Sequence, residues 1–254
     1  MAEKIKSGIP WLAEMLRATI FLPPGTPPAL QWVNVVGVQP EQILNRSAEG
    51  LVQEVGPFAS GALSGTARPG RIDWLYHPVI QAPNPSQLAF PNVGAFETAL
   101  PTFLSKAEKW FSLVDGRSWR VAFGAAILFP VTSFEEAHAA TKPLLSGTEL
   151  PAVQGFEDFL YQTNRTRLSK SKSNLRINRL AKWQSVRVEL FGMTTDSHQP
   201  TLVPATAASI AVRCEIDVNS AVDSTNNFDW KLTAQLLREC AELAEEIASR
   251  GDVN

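Results

Sequence analysis

A long basic segment contains the residue types that point most directly to chemistry. Between residues 159 and 188 the chain has eight arginines and lysines and no aspartate or glutamate. The whole chain has a formal charge of −2, so the other residues sum to −2 − 8 = −10. Because guanidinium and ammonium groups bind phosphates and other anions, this basic segment is a candidate anion-binding site.

The other residues of the basic segment also suit a nucleic acid. Asparagine and serine side chains donate hydrogen bonds to phosphate oxygens, and an aromatic ring can stack on a base. Leu175 and Ile177 alternate with Arg176 and Asn178, which indicates a strand with one polar face. The sequence therefore predicts a nucleic-acid or anion-binding set, namely Arg165, Arg167, Lys170, Lys172, Arg176, Asn178, Arg179, Lys182 and Trp183.

Other interpretations of the basic segment stay open. Its serine- and lysine-rich part, at 168–174, is typical of a solvated hairpin connection. The arginines can also pair inside the protein, for example with Glu242, Glu245 and Glu246 of the last predicted helix. The segment matches no named DNA- or RNA-binding module, and it can equally form a protein-docking surface.

Candidate acids for metal binding or catalysis lie elsewhere in the chain. Glu215 and Asp217 alternate with apolar residues, which places two carboxylates on one strand face, where they could hold Mg²⁺ or Mn²⁺. Asp73 is a further candidate acid. A solvated face with neighbouring arginine–carboxylate pairs, Arg213 with Glu215 and Arg71 with Asp73, explains the same patterns and is favoured here.

Established catalytic motifs are absent from the sequence. There is no phosphate-binding loop, dinucleotide fingerprint, zinc-binding histidine pair or nucleophile elbow, and the histidines lack metal-site spacing. We therefore predict no catalytic residue, no metal and no cofactor. A non-enzymatic protein is favoured over a metal-dependent nuclease.

The predicted helices and strands indicate an α+β fold. Apolar periodicity predicts helices at 93–114, from 133 to about 145, and from Asp229 to Gly251 near the C-terminus. Pro101 should kink the first of these or begin a second helix. Predicted strands cover 18–22, 31–36, 61–67, 71–77, 120–129, 159–167, 175–180, 185–190 and 209–218. We predict mostly antiparallel sheet with a few packed helices, including a long C-terminal helix.

Length and composition fit a globular protein. The chain of 254 residues predicts one α+β unit over 1–254, with two halves, 1–115 and 116–254, as the alternative. Cys214 and Cys240 are expected to be buried, reduced thiols. Because no signal-peptide pattern and no membrane-length apolar run occurs, we expect a cytoplasmic protein.

Several blocks taken together resemble a sporadically distributed group of uncharacterised bacterial proteins. They are Gly70-Arg-Ile-Asp-Trp-Leu75, Asp158-Phe-Leu-Tyr-Gln-Thr-Asn-Arg165, Arg176-Ile-Asn-Arg-Leu180 and Cys214-Glu-Ile-Asp-Val-Asn219. The resemblance spans residue 70 to the C-terminus and implies a bacterial cytoplasmic context. The sporadic distribution suggests an accessory or antiviral-defence gene cluster, and no catalytic residue is implied.

These observations lead to one functional hypothesis and two alternatives. The first is a non-enzymatic cytoplasmic protein that contacts nucleic acid or another polyanion through residues 165–187. The alternatives are a protein–protein adaptor or subunit, for which seven tryptophans supply anchor residues, and a metal-dependent nuclease. No membrane partner is expected, and the sequence leaves the oligomeric state open.

Overall fold

The computed structural model describes residues 8–25, 27–79, 88–145, 159–194, 201–223 and 226–252. In these ranges the α-helices are α1 Trp32–Val36, α2 Phe96–Leu113, α3 Phe134–Thr141 and α4 Trp230–Arg250, and short 3₁₀ turns cover Ser47–Glu49 and Lys142–Leu144. The strands are β1 Leu12–Phe21, β2 Gln42–Arg46, β3 Leu51–Phe58, β4 Gly61–Arg68, β5 Arg71–His77, β6 Arg117–Ser118, β7 Arg120–Val131, β8 Leu160–Leu168, β9 Arg176–Thr194, β10 Thr201–Ser220 and β11 Phe228–Asp229.

One large antiparallel sheet, the main sheet, organises the described part of the molecule. Its nine strands run in the order β2-β3-β4-β5-β1-β7-β10-β9-β8, and β6 pairs with β11 in a separate small sheet. Strand β1 lies between β5 and β7. The main sheet therefore contains strands from both sides of residue 115. This architecture confirms the predicted α+β class.

The hydrophobic core lies between one face of the main sheet and the helices. Alternate residues of the strands, such as Leu16, Ile72 and Val218, are fully buried there because strand side chains alternate between faces. Each α-helix of the described residues contributes to this one core cluster. We call this side the helix face and the opposite side the open face. Cys214 and Cys240 are buried free thiols, as predicted.

Local signals in the sequence set several turns and helix ends. Strands β4 and β5 form the predicted hairpin, and Gly70 adopts the left-handed conformation, with φ of 74°, that the turn requires. Ser133 caps α3 by accepting a hydrogen bond from the Glu136 amide. Asp229 caps α4 through the Leu232 amide at 2.7 Å. No helix in the described ranges is long and apolar enough to cross a membrane.

Several predicted elements have different bounds or types in the structure. The predicted strand at 31–36 is wrong, because this segment forms α1. Trp32 and Val35, spaced as on one helix face, are both buried there, so packing overrides the β propensity of the valines. The predicted strands at 175–180 and 185–190 are one strand, β9. Helix α2 runs through Pro101 without ending.

Candidate polyanion-binding face

The basic segment forms β8, a turn and most of β9, and its charges divide between the two faces of the main sheet. Because side chains alternate along the paired strands β8 and β9, four of the predicted residues lie on the helix face, namely Arg165, Arg167, Arg179 and Trp183. Three others lie on the open face, namely Arg176, Asn178 and Lys182. The turn between the strands contains the remaining two, Lys170 and Lys172. The structure therefore does not bring the predicted set together on one surface.

Acidic residues at the C-terminal end of α4 and just beyond it pair with the helix-face arginines. Arg167 forms a two-pronged salt bridge with Glu246, at 2.9 and 3.1 Å. Arg179 is 4 % exposed and lies 3.8 Å from the same carboxylate. Arg165 binds Asp252, which is 3 % exposed. Internal pairing, an alternative left open by the sequence, therefore accounts for these arginines.

Trp183 also belongs to the interior rather than to a surface. It is fully buried on the helix face, and its ring centre lies 5.9 Å from that of Tyr161. A fully buried indole cannot stack on a base of a bound nucleic acid. The structure thus assigns Trp183 to the core.

The turn of the basic segment is held by a carboxylate of α4. Glu239 accepts hydrogen bonds from Ser169 Oγ at 2.7 Å, from the Lys170 amide at 2.6 Å and from the Ser171 amide at 3.1 Å. Burial raises the pKa of Glu239, but these hydrogen bonds outweigh it and hold the pKa below its ordinary value. The amides of this turn therefore already bind an internal anion.

A polar network covers part of the open face, beginning at β5 and β1. Asp73 accepts hydrogen bonds from Thr19 Oγ1 at 2.7 Å and from Arg71 Nη2 at 2.6 Å. The guanidinium carbons of Arg71 and Arg120 lie 5.5 and 4.8 Å from the ring centre of Phe21. This end of the face therefore combines an aromatic ring with two cations.

The network continues across β7 and β10 to β9. Asn219 accepts hydrogen bonds from Arg120 Nη2 and from Asn178 Nδ2, each at 3.0 Å, and donates one to Asp217 at 3.0 Å. Amides both donate and accept hydrogen bonds. Asn219 is 7 % exposed and held by these neighbours, whereas the partly exposed Asn178 amide can bind a polar ligand.

The candidate acids of β10 lie in this network beside basic residues. Arg213 forms salt bridges with Glu14, at 2.6 Å, and with Glu215. Lys182 lies 3.3 Å from the Glu215 carboxylate. The predicted arginine–carboxylate pair of β10 is therefore confirmed. Among the residues that the structure describes, no group of three histidine, cysteine, aspartate or glutamate side chains could hold a metal ion.

The chain itself covers the other end of the open face. Phe90 packs with Leu128 of β7 and Ala211 of β10 in a small apolar cluster. Ser209 Oγ donates a hydrogen bond to the Leu88 carbonyl beside it. The part of the face that can meet a ligand is therefore the end that carries Phe21 and the amides.

Arg17 is a cation of this face that has no salt bridge with any residue the structure describes. It pairs in register with Gly124 of β7, and its Nε and Nη2 atoms lie 3.5 Å from the place that a Cβ of Gly124 would occupy. Its Nε is buried and has no hydrogen-bond partner within the described ranges. The glycine thus lets a guanidinium lie close over the sheet.

The open face carries a surplus of positive charge. Between β4 and β8, strand register places seven basic residues on it, namely Arg17, Arg68, Arg71, Arg120, Arg176, Lys182 and Arg213. The acidic residues placed there are Glu14, Asp73, Glu215 and Asp217. The surplus among the described residues is 7 − 4 = 3, in a chain whose total charge is −2. The positive charge is therefore concentrated on one face of the main sheet as well as in one segment of the sequence.

Sequence reasoning missed most of this face. Five strands outside the basic segment supply its other arginines, namely Arg17, Arg68, Arg71, Arg120 and Arg213. None of them lies in a dense basic run. The available signal was the glycine inside the apolar run of β7, since Gly124 leaves room above the sheet. Gly124 could indicate a site only once the strands on either side of β7 were known.

Fold and face together define a class of protein, an α+β protein whose large antiparallel sheet is packed by helices on one side and bears a basic polar network on the other. Comparisons of the chain with protein-family models, with curated proteins and with solved structures found no match. The open face is therefore the feature of the molecule from which a function can be inferred.

Proposed function

We propose that this protein is a non-enzymatic binding protein that contacts single-stranded nucleic acid through the open face of the main sheet. The observation that carries the proposal is Arg17, a cation lying over Gly124 without a salt-bridge partner among the described residues, on a face with surplus positive charge. A phosphate backbone supplies the anions that such a face attracts.

Aromatic and amide groups support a single strand over a duplex. Phe21 and Trp119 have ring centres 5.5 Å apart beside Arg120, and both rings are partly exposed. Sheet faces with aromatic and basic side chains bind unpaired bases by stacking, while a duplex keeps its bases covered. Asn178, which is partly exposed, adds an amide group for base edges.

The nuclease alternative is less well supported by the same geometry. Asp73 is engaged by Arg71 and Thr19, and Glu215 by Arg213. Carboxylates that are already neutralised by arginines are poor ligands for a divalent cation. The open face therefore favours binding over hydrolysis.

Fluorescence anisotropy with a labelled single strand of about 20 nucleotides tests the proposal. We expect binding that weakens by about 10-fold or more between 50 and 200 mM salt, because phosphate contacts release counterions. The double variant Arg17→Gln/Lys182→Gln should bind several-fold more weakly and show a salt slope smaller by about 1.4, because each phosphate contact on a single strand contributes about 0.7. The matched control Lys109→Gln removes an exposed charge from α2, on the helix side, and should bind like the unaltered protein.

Two results would contradict the proposal. One is the absence of binding to DNA and RNA single strands at low salt. The other is equal binding by the Arg17→Gln/Lys182→Gln variant and the Lys109→Gln control. Either result would leave the adaptor alternative, for which co-purification of a protein partner is the direct measurement. The resemblance to sporadic bacterial proteins supports a role in an accessory or antiviral-defence gene cluster, as an association only.

A further inference from the structure

A concave cavity lies at the β2 edge of the main sheet, on the helix face and therefore on the opposite side of the sheet from the open-face network. Its volume is about 650 Å³, within the usual range for small-molecule sites. Most of its lining is apolar, including Pro28, Leu30, Trp32, Ile43 and Val52. A cavity of this size and composition suits an organic molecule with an apolar body.

Glu54 contributes a carboxylate to this apolar lining. It lies on β3, in register with Ile43 of β2 and with Gly65 of β4. Its Oε2 atom is buried and has no hydrogen-bond partner in the part of the chain that the structure describes. Burial raises the pKa of Glu54 above its ordinary value, with no opposing contribution from a cation. A buried acceptor without a donor is costly to the folded protein.

Two glycines make room for the indole rings beside this carboxylate. A Cβ at Gly56 would lie 3.0 Å from Trp32, and one at Gly65 would lie 3.1 Å from Trp74. The two indoles stack with ring centres 6.1 Å apart and planes at 24°. The Nε1 atoms of both rings are buried without an acceptor among the described residues. The cavity lining therefore contains both the Trp32 indole and the Glu54 carboxylate.

The backbone beside the cavity is also held in an uncommon conformation. Gln31, which lines the cavity and precedes α1, has φ of 56°, in the left-handed region that disfavours a residue with a side chain. Strain of this kind clusters at ligand sites and persists where the surrounding structure enforces it. It is a second feature, independent of Glu54, that sets this cavity apart.

We propose that the cavity binds a small organic cation, a protonated amine on an apolar or aromatic body. The ammonium group donates hydrogen bonds to the Glu54 carboxylate, and the body of the ligand contacts Trp32 and the prolines. Aromatic rings add to the attraction for a cation in such a site. This inference does not depend on nucleic-acid binding, because no residue of the cavity belongs to the open-face network.

Isothermal titration calorimetry with three molecules of similar shape tests the charge preference. Tryptamine is the cation, tryptophol the neutral analogue and indole-3-propionate the anion. We expect saturable one-to-one binding of tryptamine, binding of tryptophol that is weaker by about 10-fold or more, and no binding of the anion.

The pH dependence of tryptamine binding gives a second readout. Glu54 is the one titratable side chain among the described residues that line the cavity. Tryptamine binding should therefore weaken as the pH falls through the raised pKa of Glu54, because protonation removes the carboxylate charge.

Two variants and one matched control assign the binding to this cavity. Glu54→Gln should weaken tryptamine binding by about 10-fold or more. Glu49→Gln removes a carboxylate that is 58 % exposed and outside the cavity lining, and should leave binding unchanged. Ile43 is 65 % exposed, so Ile43→Lys should fold normally, supply an internal ammonium to Glu54 and abolish tryptamine binding.

Three results would overturn the inference. The first is that the unaltered protein does not bind tryptamine at millimolar concentration. The second is that Glu54→Gln and Ile43→Lys both bind tryptamine as the unaltered protein does. The third is that tryptamine and indole-3-propionate bind equally well. If Glu54→Gln does not fold, as judged by circular dichroism, Ile43→Lys decides the question alone.

Discussion

Among single residues, Asp252 shows how one carboxylate fixes the segment that follows α4 to the main sheet. It is 3 % exposed, accepts a hydrogen bond from Tyr161 Oη at 2.6 Å and pairs with Arg165 of β8. The hydrogen bond from the Arg165 guanidinium is the largest influence on the pKa of Asp252, which lies below its ordinary value. Asp252 therefore belongs to the group of acids that stabilise the fold only while ionised.

Asp252→Asn should lower the melting temperature by roughly 5 °C at neutral pH, because it removes charge-assisted hydrogen bonds from a buried site. The folded pKa of Asp252 lies below the unfolded value of about 3.9. Its contribution is therefore complete above about pH 4 and is lost as the pH falls through the folded pKa. The melting temperatures of the unaltered protein and of Asp252→Asn should therefore converge as the pH is lowered from 7 to 3.

The control variant Asp115→Asn changes an exposed aspartate and should melt like the unaltered protein. If Asp252→Asn melted at a temperature that is lower by the same amount at every pH, this assignment would be contradicted.

At the scale of elements, Glu239 connects α4 to the β8–β9 turn. The residue is 7 % exposed and receives its hydrogen bonds from a turn rich in serine and lysine. This composition is typical of a solvated loop, yet the turn is tied to the longest helix of the described residues. The connection joins the basic segment to the helix layer at the edge of the sheet.

Glu239→Ala should destabilise the protein by about 1–3 kcal/mol, because it leaves the Lys170 and Ser171 amides without their acceptor. Urea denaturation followed by circular dichroism measures this change. Glu242→Ala alters an exposed glutamate on the same helix and should change the stability by less than about 0.5 kcal/mol. Equal stability of the two variants would show that the turn does not depend on α4.

Element boundaries show where sequence patterns succeed and where they fail. The β4–β5 hairpin and both caps of α4 were predictable, because a turn glycine, an N-cap aspartate and a C-terminal glycine act over a few residues. Helix α1 was not, because its type depends on Trp32 stacking on Trp74 of β5, which follows much later in the chain. So short a segment has too little local preference to resist such packing.

At the scale of the whole molecule, the main sheet joins residues from distant parts of the chain. Strand β1 pairs with β7, and one hydrophobic cluster includes residues from Trp11 to Ala248. The alternative of two halves divided near residue 115 would cut this sheet between adjacent strands. Long-range pairing of this kind couples the stability of the two parts.

We therefore expect a single cooperative unfolding transition. Tryptophan fluorescence and far-ultraviolet circular dichroism should give coincident denaturation curves, and calorimetry should show one transition. Fragments 1–115 and 116–254 expressed alone should each lack a cooperative transition, since each would expose a long strand edge. Two separate transitions in the intact chain, or a fragment that melts cooperatively, would support the two-half alternative.

The amino-acid pattern was enough to predict the α+β class, the long helix α4 with its caps, the β4–β5 hairpin and a strong segregation of charge along the chain. These features depend on composition, on periodicity and on residues close together in the chain. Such signals survive in a linear sequence because they need no knowledge of which strands are neighbours.

The direction in which each charged side chain faces depends on the fold and could not be predicted from the sequence. Strand alternation sends Arg165 and Arg179 to the helix face, where acids at the end of α4 and beyond it neutralise them. Strand order gathers Arg17 and Arg120 on the open face. The physical reason is that the partners meet through strand pairing and leave no local signal, as in the hydrogen bond from Arg120 to Asn219, which joins residues 99 positions apart.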